Sequence, residues 1–127
     1  MKKNSYPLVK KPFKKWQIFV VSYGMNTWSE VNGDRPSIIY KHSDNTLGED
    51  LTVIPLTSAV RDKQSDKFDC FVPKDANNNL FQNSFARVRQ LKAQSIRRIG
   101  KFVGTITDEH VMKAIDDAAK EMLGIKE

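Results

Sequence analysis

The chain has 127 residues, 39% of them hydrophobic and 28% charged, and carries a formal net charge of +6. That length sustains one domain with a real core and leaves little for a second, and the composition excludes a wholly disordered chain. The strongest apolar run, Ile18 to Val21, falls far short of a membrane span, and the Lys-rich start lacks a signal peptide's apolar core, so a cytoplasmic protein without membrane contact is expected.

In chain order, residues 1–15 hold six lysines, two prolines and no carboxylate, and read as a flexible basic arm ahead of a single domain over 16–127. Gln17–Ser22 is β-rich and stops at Tyr23-Gly24, after which glycine, asparagine and aspartate make 23–34 a loop. That loop delivers the chain to Arg35-Pro36, where the proline biases Arg35 toward extended backbone angles. Ser37–Tyr40 and Leu51–Leu56 are short strands on either side of the turn formers SDNTLGED. Pro55 marks the second as a strand end or edge position, because proline cannot donate to a ladder.

Phe68–Val72 and Ser84–Leu91 follow as strands, separated by KDANNNLFQN. In the latter, a period of two puts Ala86 and Val88 on one face and points Arg87 and Arg89 outward together on the other. A further β segment or pair runs through 96–103. The pattern then changes to a helix: Thr107 is a good N-cap, Asp108 and Glu109 suit the positive end of the dipole, and Gly124 is a stop. Val111, Ile115, Ala118 and Met122 form its apolar stripe, which covers one face of the sheet.

Charge is segregated along this order. Arg87, Arg89, Lys92, Arg97, Arg98 and Lys101 fall within fifteen residues that hold no carboxylate. Such a block is either a polyanion-facing surface or a solvated strand edge protected from aggregation. The single cysteine, Cys70, sits in FDCFV as a packed thiol and suits a reducing compartment. The run from Asp75 to Asn79 starts like a calcium loop, but Leu80 stands where glycine is needed and Ala86 where the glutamate belongs. His42 and His110 have no metal-ligand spacing around them, and the carboxylates Asp108, Glu109, Asp116, Asp117 and Glu121 belong to a solvated helix.

What remains for chemistry is Arg35 and the hydroxyl pair Thr57-Ser58. An arginine is no base at neutral pH, but it grips a phosphate bidentately and offsets charge that grows in a transition state. A hydroxyl donates to a phosphoryl oxygen, and Thr57-Ser58 closes an apolar strand, where side chains emerge into clefts.

The segment Ser29-Glu30-x-x-Gly33-x-Arg35-Pro36, the strand SIIY after it and IPLTS at 54–58 resemble the core of the MazF/PemK toxin family. Residues 84–99, SFARVRQLKAQSIRRI, are similar to that family's strand bearing a Gln-Ile-Arg element, and residues 103–125 to its closing segment and terminal helix. The resemblance spans about 16–125 and implies an α+β, mainly β fold: an SH3-like, partly open barrel of antiparallel strands with a C-terminal helix, assembled as a homodimer. It further implies a metal-independent and cofactor-free endoribonuclease that cuts single-stranded RNA such as mRNA by 2′-hydroxyl transesterification, under the control of a cognate antitoxin.

Carried onto this chain, the catalytic residues fall on Arg35 and Thr57, with Ser58 adjoining. Tyr23 and Trp28 are implied as base-stacking residues, Glu30 as a structural or base-contacting residue of the covering loop, and Arg87, Arg89, Gln90 and Lys92 as further RNA contacts. The chain departs from the family at Trp16-Gln17, where Gly-Asp is usual, and at Arg89, where a glutamate is usual. The second change reverses the charge beside the RNA and bears on sequence preference and antitoxin recognition. Two rival functions share the fold. One is a CcdB-like poison of DNA gyrase, although Leu123-Gly124-Ile125 lacks the tryptophan those toxins require. The other is a noncatalytic RNA-binding or antitoxin-binding module.

Overall fold

The structure, a computed structural model, describes residues 13–24, 33–42, 50–61 and 63–125. Seven strands form one antiparallel assembly: β1 (Gln17–Ser22), β2 (Asp34–His42), β3 (Asp50–Ser58), β4 (Asp69–Val72), β5 (Ser84–Arg87), β6 (Lys92–Ser95) and β7 (Ile99–Thr105). The spatial order is β4-β5-β3-β2-β1-β7, with β6 also on β3, and the sheet does not close. Among the described residues one α-helix, α1 (Glu109–Leu123), follows. The expected mainly β architecture with a C-terminal helix is therefore present.

Alternation along the three central strands sends apolar side chains to both faces, which makes two cores. One face gathers Ile18, Ile38, Ile54 and Leu56 with Val72, Val88 and the helix residues Val111, Ile115 and Ala119. The other gathers Phe19, Val21, Tyr23, Ile39, Leu51 and Val53. Phe13 belongs to this second core, 6% exposed and edge-on to Phe19 at 5.2 Å. Ordered packing thus reaches back into the stretch expected to be arm; residues 1–12 lie outside the described residues.

Several boundaries differ from expectation for identifiable reasons. The strand expected over 84–91 ends at Arg87, where a 3-10 helix (Val88–Gln90) turns the chain toward β6. The helix is capped by Asp108 rather than Thr107: its carboxylate accepts from the backbone N–H of His110 at 2.8 Å and of Val111 at 3.3 Å. Its third buried contact is Ala119, with Ala118 and Met122 flanking it.

Pro55 is neither at a strand end nor on an edge. It faces Ser37 across the β2–β3 ladder. Having no N–H, it can only occupy a non-hydrogen-bonded pair there, so its nitrogen turns toward the opposite edge of β3. On that edge β6 covers Asp50–Val53 and β5 covers Leu56–Ser58, so the nitrogen meets the gap between them.

Candidate active site at the ends of the central strands

Arg35 is the second residue of β2 and lies opposite Val21 of β1. The β1–β2 hairpin is drawn shut just beyond it: Tyr23 N–H donates to Gly33 O at 2.9 Å and Gly33 N–H to Gly24 O at 2.7 Å. Both glycines have left-handed backbone, φ +72° and +75°, which a side chain would strain. Trp28 and Glu30 lie past this neck, outside the described residues.

A short hydroxyl relay ties the neck to the arginine. The Ser37 hydroxyl donates to the Arg35 carbonyl at 3.2 Å, which leaves the Tyr23 hydroxyl, 2.7 Å away, to donate to Ser37. Tyr23 is 6% exposed, so the expected stacking platform is instead a core residue. Burial pushes its phenol up to about 12, only partly offset by the Ser37 hydrogen bond. It therefore stays protonated at neutral pH and is no general base.

Strand alternation decides which groups can meet. Ser37 faces Pro55, so Arg35 and Thr57, each two residues outward, share that face. Lys92 lies opposite Val53 on the same face, its Nζ 5.7 Å from the Tyr23 ring centre. Thr57 is 7% exposed, and its Oγ1 is the buried side-chain polar atom without a hydrogen-bond partner among the described residues. An unmade hydrogen bond at such a site costs about 1–3 kcal/mol, which makes this hydroxyl a group suited to an incoming partner.

Ser58 turns the other way. Its hydroxyl donates to Gln82 Oε1 at 2.5 Å and accepts from Val60 N–H at 3.2 Å. It lines a cavity of about 150 Å3 together with Arg35, Arg61, Phe81 and Gln82. The two adjoining hydroxyls therefore serve opposite sides of β3, with Arg35 reaching the rim between them. A larger cavity, about 580 Å3, opens beside the end of α1 between Tyr40, His42, Leu91, Leu123 and Ile125, and none of the expected catalytic residues lines it.

The basic block is divided by its partners. Arg87 does not face outward: it forms an ion pair with Asp69 in which the side chains are 9% and 2% exposed, and it lies 5.5 Å from the Phe85 ring. Arg89, carried away from it by the 3-10 helix, pairs with Asp66 and stacks over Phe68 at 5.1 Å. The N–H of Phe68, with Arg89, holds the Asp66 carboxyl below the usual carboxylate range. Gln90 ends the 3-10 helix, and Arg98 reaches Ser22 O at 3.5 Å, next to the neck.

Arg61, Phe81 and Gln82 were not singled out from sequence. The only signals available were an arginine just after the hydroxyl strand and an aromatic set among turn formers. Among the described residues, no three His, Cys, Asp or Glu side chains gather as metal ligands, and no helix is long and apolar enough to cross a membrane.

Residues 14–123 match the family model described as a PemK-like, MazF-like toxin of type II toxin-antitoxin systems. No relative among curated protein sequences matches the chain. Among solved structures, MazF (Form-I) from Deinococcus radiodurans superimposes with a TM-score of 0.68 at 15% identity, over 87% of this chain and 94% of that one. An endoribonuclease in complex with its cognate antitoxin from Mycobacterial species gives 0.62 at 16%, over 89% and 96%. The Mycobacterium tuberculosis toxin MazF-mt6 gives 0.60 at 16%, over 87% and 99%. At these identities the structural matches establish the fold.

Proposed function

Because the chain belongs to the PemK-like, MazF-like toxins of type II toxin-antitoxin systems, we propose that it is an endoribonuclease toxin that cuts single-stranded RNA by transesterification. The observation that carries this reading is the shared face of Arg35 and Thr57, the latter a buried hydroxyl without a hydrogen-bond partner among the described residues. In the reaction the 2′-oxygen attacks the adjoining phosphorus, and the bond from phosphorus to the 5′-oxygen breaks. The products are a 2′,3′-cyclic phosphate and a 5′-hydroxyl. One proton passes from the 2′-hydroxyl to water, and Arg35 gives one to the departing 5′-oxygen and regains it from solvent. Arg35 bears the charge that grows on the non-bridging oxygens, and Thr57 fixes the scissile phosphate by donating to one of them.

The Ser37 bridge between Tyr23 and the Arg35 carbonyl holds the backbone from which the Arg35 side chain leaves the strand. Lys92, on the same face, adds a second cation for the RNA backbone. The reading includes a homodimer in the cytoplasm and a cognate antitoxin that covers the site.

Mixed-sequence single-stranded RNA incubated with the purified protein in EDTA should yield discrete fragments with cyclic phosphate and 5′-hydroxyl ends. Arg35→Ala should lower the single-turnover rate on the order of 100-fold or more while the fold is kept. RNA left intact at high enzyme concentration, together with inhibition of gyrase supercoiling, would overturn the proposal.

A further inference from the structure

The cavity beside Arg35 has a composition that the cleavage step does not use. Its rim carries a second guanidinium, Arg61, and a phenylalanine, Phe81, that is 91% exposed. Arg61 and Phe81 line one cavity, so an aromatic face open to water and a guanidinium are offered to the same occupant. This is the pairing by which unpaired nucleic acid is held, since every base has a face to stack and every nucleotide a phosphate.

Phe81 is exposed without being loosely anchored. The turn that presents it is tied down by Asp75, whose carboxylate accepts from Asn77 N–H at 2.9 Å and Asn78 N–H at 2.7 Å. The Asn78 side chain, in a residue 2% exposed, donates to Pro73 O and accepts from Leu80 N–H at 3.0 Å. Leu80, the residue before Phe81, is itself packed in the first core. Residue 81 is therefore set on a braced turn, which lowers the ordering cost of stacking on it. Next to it Gln82 is fixed by its carbonyl end, since Oε1 accepts the Ser58 hydroxyl at 2.5 Å. That fixes its amide nitrogen as the end turned away from Ser58.

The geometry points to a nucleotide subsite in this cavity: Phe81 stacks on one unpaired base adjoining the scissile phosphate, Arg61 holds a backbone phosphate, and the Gln82 amide donates to an acceptor on that base's edge. The inference rests on the proposed RNA-cleaving function and adds to it where along the RNA one base is gripped. It makes the turn between β4 and β5 part of the specificity of the enzyme, through residues that no catalytic pattern includes.

Two measurements on the full chain test it. In the first, an RNA oligonucleotide holding one mapped cleavage site is compared with versions carrying an abasic ribose at each position flanking the cut. Phe81→Ala should cost about tenfold to a hundredfold in kcat/KM, mainly through KM, and at one flanking position the abasic change should cost the wild type as much and the variant almost nothing more. Leu123→Ala, an exposed apolar truncation at the end of α1, should leave kcat/KM unchanged. In the second, the protein is titrated into a 2′-O-methyl oligonucleotide carrying 2-aminopurine at that position. Wild type should quench the fluorescence and Phe81→Ala should not. Cleavage that is indifferent to Phe81, or abasic losses equal in both proteins at every position, overturns the subsite and leaves the catalytic reading standing. Quenching that depends on Phe81 without cleavage overturns the catalytic reading and keeps the subsite. Neither cleavage nor quenching overturns both.

Discussion

Removing the carboxylate of Asp69 tests the most consequential reassignment, that of Arg87 from an RNA contact to a buried ion pair. Asp69→Ala strands a guanidinium whose side chain is only 9% exposed. It also removes the acceptor for Ser65 N–H at 2.9 Å and for the Ser65 hydroxyl at 3.3 Å. Breaking one half of a buried pair costs about 3–5 kcal/mol, most of it the uncompensated charge, and at these exposures solvent offers little relief. Urea unfolding followed by tryptophan fluorescence should show that loss in free energy with an unchanged slope. Replacing both partners, Asp69→Leu with Arg87→Met, should recover most of it, because the desolvation of both charges disappears with them. A single variant within about 1 kcal/mol of the parent, or a double variant no better than the single, would refute the assignment. A cleavage rate that collapses in a stable double variant would return Arg87 to the RNA-contacting set.

Three further outcomes follow from the same structure. A Cβ on Gly104 would lie 2.7 Å from Asn77 O and closer still to Asn78 O, both backbone atoms, so Gly104→Ala should lower stability by about 1–3 kcal/mol, read as a lower melting temperature. Asp108→Ala removes the cap that serves two N–H groups of α1 and should cost about 1 kcal/mol, measured in the same urea titration. On the alkaline side, burial raises the Cys70 thiol from 9.0 to about 11 and the Tyr23 phenol from 10.0 to about 12. The unfolded chain releases these protons first, so stability is full below 9.0 and falls as pH rises through that window. Tyr23→Phe should flatten the upper half of the decline, and an unchanged slope there would exclude Tyr23 as its source.

Local patterns carried much of the fold into view from sequence. The spacing of Val111 and Ile115 and the stop at Gly124 are backbone and periodicity signals that need no tertiary knowledge, and α1 forms where they place it. Pairing partners are another matter. Nothing local distinguishes an edge proline from one that faces a gap between two neighbours, so Pro55 was misplaced. Period two separates Arg87 from Ala86 within β5, but Asp69, far off in sequence, decides that Arg87 is drawn inward.

The candidate site divides in the same way. Arg35 and Thr57 were singled out from residue chemistry and resemblance, and β2 and β3 bring them onto one face. That Ser58 serves the other side of its strand follows from alternation once the register is known. Arg61 and Phe81 gain meaning only from the cavity they flank, which the chain builds from three separated segments.

Pro55 also acts as a fence. The far edge of β3 is shared by two short tenants, β6 over four residues and β5 over three, and a continuous row of N–H groups would let either one slide into the other's place. A slip of one residue would turn the sliding strand over and send its core side chains to the outer face. By leaving one post without a proton at the boundary, the chain penalises both trespasses at once. Replacing Pro55 by a residue with a free N–H would therefore loosen the registers of β5 and β6 before it loosened the central strands.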